Sequence, residues 1–172
     1  QFYLNILAAL AVRKALIQFV NLPIDVKWAN DILIDRKKVC GILIQNTLSG
    51  EQITNTIVGI GVNINQTSFE AHLTKATSLA LETGANYDIK LVIEAICQQL
   101  EHYYAILKAE QFELLRQRYF EHLYQFEEWA WYKRPTGTPF KGKIVDLSPI
   151  GALMVARESG VETFGLKEIV FL

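Results

Sequence analysis

Residues 57–64 constrain this chain more than any other stretch. Apolar and small residues alternate strictly there. An extended strand therefore puts Val58, Ile60, Val62 and Ile64 on one face and Ile57, Gly59, Gly61 and Asn63 on the other. The first face belongs to a core. The second is half emptied of side chains. Glycine weakens a strand, so two on one face mark a close approach by a ligand or by another backbone. Asn63 stands beside that gap with an amide that both donates and accepts hydrogen bonds. A helix packed on the sheet could also demand small residues, and this segment alone leaves both readings open. A dinucleotide-binding loop is excluded: Ile64 occupies the position of the third glycine, and no helix follows directly.

Around this strand the chain reads as α+β. Residues 2–20 carry Leu4, Leu7, Ala8, Ala11, Ala15 and Phe19 on one helical stripe, which Pro23 ends. Residues 24–28, 32–35, 39–48 and 52–65 read as strands, with turns expected at Arg36-Lys37 and at residues 49–51. Such short connections imply a largely antiparallel sheet. Helices are expected over 69–83 and 88–126, the latter with a break near 108–110. From Trp129 onward, prolines and glycines punctuate short strands at 143–147, 152–156, 161–164 and 168–172, a pattern that suggests a small barrel. The expected division is residues 1–130 and 131–172, with the aromatic cluster Tyr124, Phe126, Trp129, Trp131 and Tyr132 packing the second part onto the first.

Composition narrows the function classes. Of 172 residues, 51% are hydrophobic and 20% charged, with a net charge of −1, which fits a core-forming chain and not a disordered one. A near-neutral balance argues against a dedicated nucleic-acid partner. No apolar run is long enough to span a bilayer. Cys40 and Cys97 are far apart in apolar surroundings and read as free, buried thiols of a reducing compartment, the cytoplasm. Neither has a second Cys or His at ligand spacing, so no metal ligand is named. His72, His102 and His122 are scattered over the segments read as helical. Because an uncapped helix opens directly at Gln1, upstream sequence is expected to be missing.

Two further segments join the glycine strand as candidate chemistry. Gly41 shares a strand face with Leu43 and Gln45. Lys27 and Asp25 oppose Val26 and Trp28, and Trp28-Ala29-Asn30-Asp31 follows at once. A cation, an indole, an amide and a carboxylate thus crowd one strand end. Taken alone, Asn30-Asp31 reads as a turn and Lys27 as a solvent-facing strand lysine.

Taken in order, Lys27-Trp-Ala-Asn-Asp31, Lys38-Val-Cys-Gly41-Ile42-Leu43 and Gly59-Ile-Gly61-Val-Asn63-Ile-Asn65 resemble the K-W-P-N-D, K-x-x-G-I-L and G-x-G-x-N strings of the biotin protein ligase family. Ala76-Thr-Ser-Leu79 with Glu82 and Gly84 resembles the helix that follows in that family. Residues 140–172 resemble its small SH3-like barrel. Ala29 departs from the usual proline and Gln45 from a common glutamate. The family's glycine- and arginine-rich loop has no counterpart after Gln1.

The resemblance implies a mixed, largely antiparallel sheet packed with helices, like class II synthetases and biotin or lipoate ligases, followed by the barrel. It implies ATP-dependent attachment of biotin, through biotinyl-5'-adenylate, to a lysine of a biotin carboxyl carrier domain, with Mg²⁺ accompanying ATP. Lys27 would clamp the biotin carboxylate and the phosphate. Gly41, Ile42, Leu43, Gly59 and Gly61 would bed the biotin. Asn30, Asp31, Lys38 and Asn63 would serve the nucleotide. A homodimer is compatible with the family. These 172 residues alone are expected to bind biotin weakly and to form little adenylate. A non-catalytic ligase-like binding module and a lipoate ligase or transferase relative stand as alternatives.

Overall fold

A computed structural model describes residues 2–50 and 52–172. Gln1, and Glu51 of the expected 49–51 turn, lie outside the described residues. The chain divides into two compact units, Tyr3–His122 and Leu123–Leu172.

The first unit is mixed α+β. Helix α1 (Phe2–Leu16) leads into four strands, β1 (Ile24–Lys27), β2 (Asp31–Ile34), β3 (Lys37–Ser49) and β4 (Gln52–Val62), which form an antiparallel sheet in sequence order. The helix is not the one-sided element its stripe suggested. From Ile6 to Val12 no residue is more than 5% exposed, so it is enclosed on all faces. Near its end the Arg13 guanidinium donates to the Ile24 carbonyl at 2.7 Å and ties the helix to the edge strand. Beyond that strand, Val26 N–H donates to the His122 carbonyl at 2.8 Å.

Between β2 and β3 the turn is Asp35-Arg36, one residue earlier than expected. Both residues have positive φ, 45° and 65°, the backbone of a two-residue hairpin whose twist suits the sheet. The expected helix over 69–83 shrinks to α2 (Leu79–Thr83), capped by Ser78, whose hydroxyl accepts from Leu81 N–H at 3.0 Å. The stretch before it runs alongside the start of β3 instead.

The second expected helix is two: α3 (Ile89–Lys108), capped by Asp88, and α4 (Phe112–Phe120). Glu110 at φ 55° makes the break between them. Leu91, expected on the core side, is 55% exposed; Val92, Ala95, Ile96 and Tyr103 carry the buried face. Both cysteines are free, as expected, but only Cys40 is buried; Cys97 is exposed.

The second unit is a five-stranded antiparallel sheet of β5 (Trp129–Lys133), β6 (Pro139–Leu147), β7 (Leu153–Arg157), β8 (Gly160–Phe164) and β9 (Val170–Phe171), in the order β8-β7-β6-β5-β9. Strand β5 fell in the stretch read only as an aromatic cluster. Tyr132, Ile144, Leu153, Val155 and Phe164 are fully buried and form its core. Among the described residues no ladder joins β8 to β9, so the sheet is not a closed barrel.

Candidate functional site

The strands of the first unit are registered so that one row crosses the whole sheet. Lys27 pairs with Asp31, Asp31 with Gly41, and Gly41 with Gly61. Directly paired residues point to the same face, so a cation, a carboxylate and two glycines line up across four strands. One pleat further along, Leu43 pairs with Gly59 on that face. The other face holds Val26, Ile32, Cys40 and Ile42, none more than 3% exposed.

The ambiguity of the glycines is resolved by what surrounds them. A Cβ built on Gly59 would meet only the Leu43 carbonyl, at 3.6 Å, and one on Gly61 only the Gly41 carbonyl, at 3.8 Å. These are ordinary contacts, so no neighbouring helix requires glycine at either place. On the same face, Leu43 and Ile57 are 63% and 61% exposed. Large apolar side chains and bare backbone therefore share an uncovered surface, a combination suited to receiving an apolar ligand at close range.

A hollow of about 560 Å³ lies over this surface, bordered by Asn30, Asp31, Lys38, Gly41, Ile42, Leu43, Gly59, Ile60 and Gly61. Eight of the ten residues singled out from the sequence border it. Ile42 does so through its backbone, since its side chain is buried on the opposite face. The two that do not are Lys27 and Asn63. Lys27 is half-buried one strand beyond Asp31, so Asp31 stands between it and the hollow. Two strand spacings, roughly 10 Å, separate its backbone from Gly41. Asn63 is engaged elsewhere: its amide donates to the Thr77 carbonyl at 3.0 Å, and its backbone N–H donates to the Val39 carbonyl at 2.8 Å.

A bulge delivers Lys38. The ladder pairs Ile32 with Cys40 but Leu33 with Lys38, so Val39 is an extra residue. Val39 and Cys40 are both buried although consecutive, at 0% and 1% exposure. The slip turns Lys38 to the glycine face, where its Nζ lies 3.3 Å from the place a Gly41 Cβ would take. There it pairs with Asp31 Oδ1 at 2.6 Å.

Asn30 is bound into the frame. Its side-chain amide donates to the Ile42 carbonyl, and Ile42 N–H donates to the Asn30 carbonyl at 2.9 Å. It thereby fixes the 28–30 turn, where the Trp28–Ala29 peptide bond is cis, against β3.

The local field is cationic. Burial holds the Lys27 ammonium below the ordinary lysine range; Asp31 opposes that shift, while Lys75 and Lys38 add to it. Asp31, ion-paired with Lys38, thus also favours the charged form of Lys27. Lys75 was missed in the sequence, because its segment reads as helix. The only signal was its place just before Ala76-Thr-Ser-Leu79. A larger hollow of about 850 Å³ lies elsewhere in this unit, among Tyr3, Leu7, Leu100, Tyr104 and Leu107 of the helices and the outer half of β4. Among the described residues no charged side chain borders it, so they offer no counter-charge to an anion there.

Among the described residues, no group of three or more acidic, His or Cys side chains could hold a metal ion, and no helix is long and apolar enough to cross a membrane.

Known proteins resemble this chain in sequence and in fold. A sequence model described as the Biotin/lipoate A/B protein ligase family matches residues 1–63, the stretch holding α1 and all four strands. The "Bifunctional ligase/repressor BirA" of Bacillus subtilis is 30% identical over 162 residues, covering 92% of this chain and 50% of that protein. The "Biotin--[acetyl-CoA-carboxylase] ligase" of Paracoccus denitrificans is 27% identical, covering 85% of this chain and 62% of its own length. The chain thus spans about half the length of the Bacillus relative. The structure of a biotin protein ligase from Aquifex aeolicus in complex with biotin and ATP overlays with a TM-score of 0.79 at 26% identity, covering 99% of this chain and 71% of that one. With the three strings in order, their residues gathered on one glycine-floored face and likeness running along nearly the whole sequence, the chain belongs to the biotin protein ligase family.

Proposed function

We propose that this chain carries the substrate-binding floor of an enzyme that activates biotin with ATP and transfers it to a lysine of a biotin carboxyl carrier domain. The observation that carries the reading is the row Lys27–Asp31–Gly41–Gly61, which joins a cationic end to bare backbone on an exposed sheet face. The Aquifex relative described in complex with biotin and ATP supports the choice of ligands.

In the first step an oxygen of the biotin carboxylate attacks the α-phosphorus of ATP. The bond from that phosphorus to the bridging oxygen breaks, and pyrophosphate leaves. Two anions must meet, so fixed positive charge near the forming bond lowers the barrier. Lys38 supplies it at the hollow, and Lys27 supplies it from one strand away. Neither acts as a nucleophile. Asp31 holds Lys38 in place through their ion pair and limits mutual repulsion among the lysines. Gly41, Gly59 and Gly61 let the biotin rings lie on backbone, with Leu43 as an apolar wall. In the second step the carrier lysine's amine attacks the acyl carbon of the mixed anhydride, AMP leaves, and the amine gives up a proton.

Asn63 serves this site from behind, by holding the segment around Thr77, and a direct contact with nucleotide is a weaker reading. Mg²⁺ would arrive with ATP. Asp31 is the one carboxylate bordering the hollow among the described residues, and Lys38 occupies it, so these residues do not form a dedicated metal site. The five-stranded second unit is read as the family's SH3-like module on strand number and sequence likeness. Two free cysteines fit a cytoplasmic setting.

Titration calorimetry with biotin, lipoate and ATP tests the reading. Weak but saturable binding of biotin and of ATP, with biotin preferred over lipoate, is expected. A preference for lipoate would move the chain to the other branch of its family, and binding of neither biotin nor ATP would contradict the proposal.

A further inference from the structure

The five-stranded unit carries a face that the proposed function does not use. In β5, Tyr132 turns into the core and is fully buried. Trp129 and Trp131, on the opposite parity, are 52% and 56% exposed, although the sequence suggested that they would be packed away. Tryptophan is ordinarily well buried, so two on one open strand face are not accounted for by folding alone. The ladder sets Trp129 opposite Lys143 and Trp131 opposite Lys141, so the four side chains share that face. Lys143 Nζ lies 5.9 Å from the centroid of the Trp129 ring.

These lysines are not neutralised. Among the described residues no carboxylate pairs with the side chain of Lys141 or Lys143. A hollow of about 340 Å³ adjoins the row, bordered by Trp129, Phe140, Lys141, Arg157, Glu158 and Ser159. Arg157 there shares Glu162 with Arg134, one carboxylate for two guanidiniums. The near-neutral charge of the whole chain, −1, is therefore not the balance of this face.

Alternate residues of a strand stand about 7 Å apart, so the face offers a flat ring beside a cation and then repeats the pair. An acidic protein surface answers the cations but not the repeated open rings. A nucleic-acid single strand repeats the complementary pair, a base with open π-faces and a phosphate. In a duplex those faces are hidden in the stack.

We infer that the Trp129–Trp131 face of the second unit binds single-stranded nucleic acid, with bases stacked on the two indoles and phosphates held by Lys141 and Lys143. The inference stands apart from the proposed function, and neither depends on the other.

The test follows the fluorescence anisotropy of a short, labelled oligodeoxythymidine during titration with the 172-residue chain. Saturable binding is expected, and it should quench emission from the two exposed indoles; Trp28, only 7% exposed, should not respond. Trp131→Ala is expected to weaken binding about tenfold, while Trp131→Phe, which keeps a ring, should recover most of the loss. Replacing both Lys141 and Lys143 by Gln should reduce the slope of log affinity against log salt by about 0.7 per lysine. Lys90→Ala on α3 of the first unit should match the wild type. No binding by the wild type overturns the inference. Equal affinity for a duplex or for polyglutamate overturns it as well, because charge alone would then suffice. Binding to anionic phospholipid vesicles but not to the oligonucleotide would make the face a membrane contact and would also overturn it. So would equal oligonucleotide affinity in wild type and Trp131→Ala. Each of these results leaves the biotin reading of the first unit untouched.

Discussion

Lys27 is held by its backbone, on a ladder with Asp31, and by partial burial; its charge faces a carboxylate and two other lysines. Such a group contributes little to folding, because burial and like charge offset the attraction of Asp31. On the proposed function, its contribution to the reaction between two anions is larger. On that proposed function, Lys27→Ala is expected to slow pyrophosphate release by about a hundredfold while shifting the thermal melt by no more than a degree or two. Comparable loss in both would make Lys27 structural. Its depressed proton affinity also sets a pH dependence. The charged form is lost as pH rises, so adenylate formation should begin to decline below the ordinary lysine value of 10.5, and Lys27→Arg should move that decline to higher pH.

Glycines differ at this scale as well. Gly61→Val adds a β-branched side chain to a strand whose backbone accepts a Cβ without a clash, so stability should hold while biotin binding falls more than tenfold. Gly142→Ala is the opposite case. Its Cβ would come 2.5 Å from Val155 Cγ1 inside the second unit, and a melting-temperature loss equivalent to about 1–3 kcal/mol is expected with no direct effect on ligands.

At the scale of elements, the decisive pieces are the β2–β3 bulge and the 75–77 bridge, where Lys38 N–H donates to the Lys75 carbonyl and Thr77 N–H to the Lys38 carbonyl. The Glu82 carboxylate latches the bridge to α2. Thr77 and Lys37 hold it below the usual glutamate range, although burial works in the other direction. A carboxylate with a lowered folded value contributes stability that is complete above its unfolded value and is lost as pH falls through the folded one. Glu82→Gln should therefore cost about 1 kcal/mol at neutral pH, and the difference from wild type should vanish in acid, below about pH 4.5. Melting curves across that range check it; a difference constant with pH would show that the charge is immaterial.

Much of this level was legible in sequence. The alternation over 57–64 determines which residues share a face, because strand parity is a local property. The bulge was not legible, because lysine, valine and cysteine have no propensity that announces an extra residue. The helix expected over 69–83 failed for a related reason. Its residues suit a helix, but the edge of β3 beyond Asn63 offers backbone partners that outcompete it, and only Ser78 onward coils. Lys75 was invisible for the same cause.

At the scale of the molecule, two units with separate cores divide the chain, and the candidate site lies wholly in the first. Its logic is an asymmetry between sheet faces. One face is dry and aliphatic and supports the fold; the other carries glycines, exposed leucine and isoleucine, and a cationic end. The central claim is that biotin is received on that second face. Amide proton–nitrogen correlation spectra of the 172-residue chain during titration with biotin, up to millimolar concentration, test it directly even if binding is weak. The account predicts that the signals of Gly41, Gly59, Gly61 and Leu43 move together and saturate. Unchanged glycine signals alongside shifts at Leu7, Leu100 and Leu107, which border the larger uncharged hollow, would contradict it.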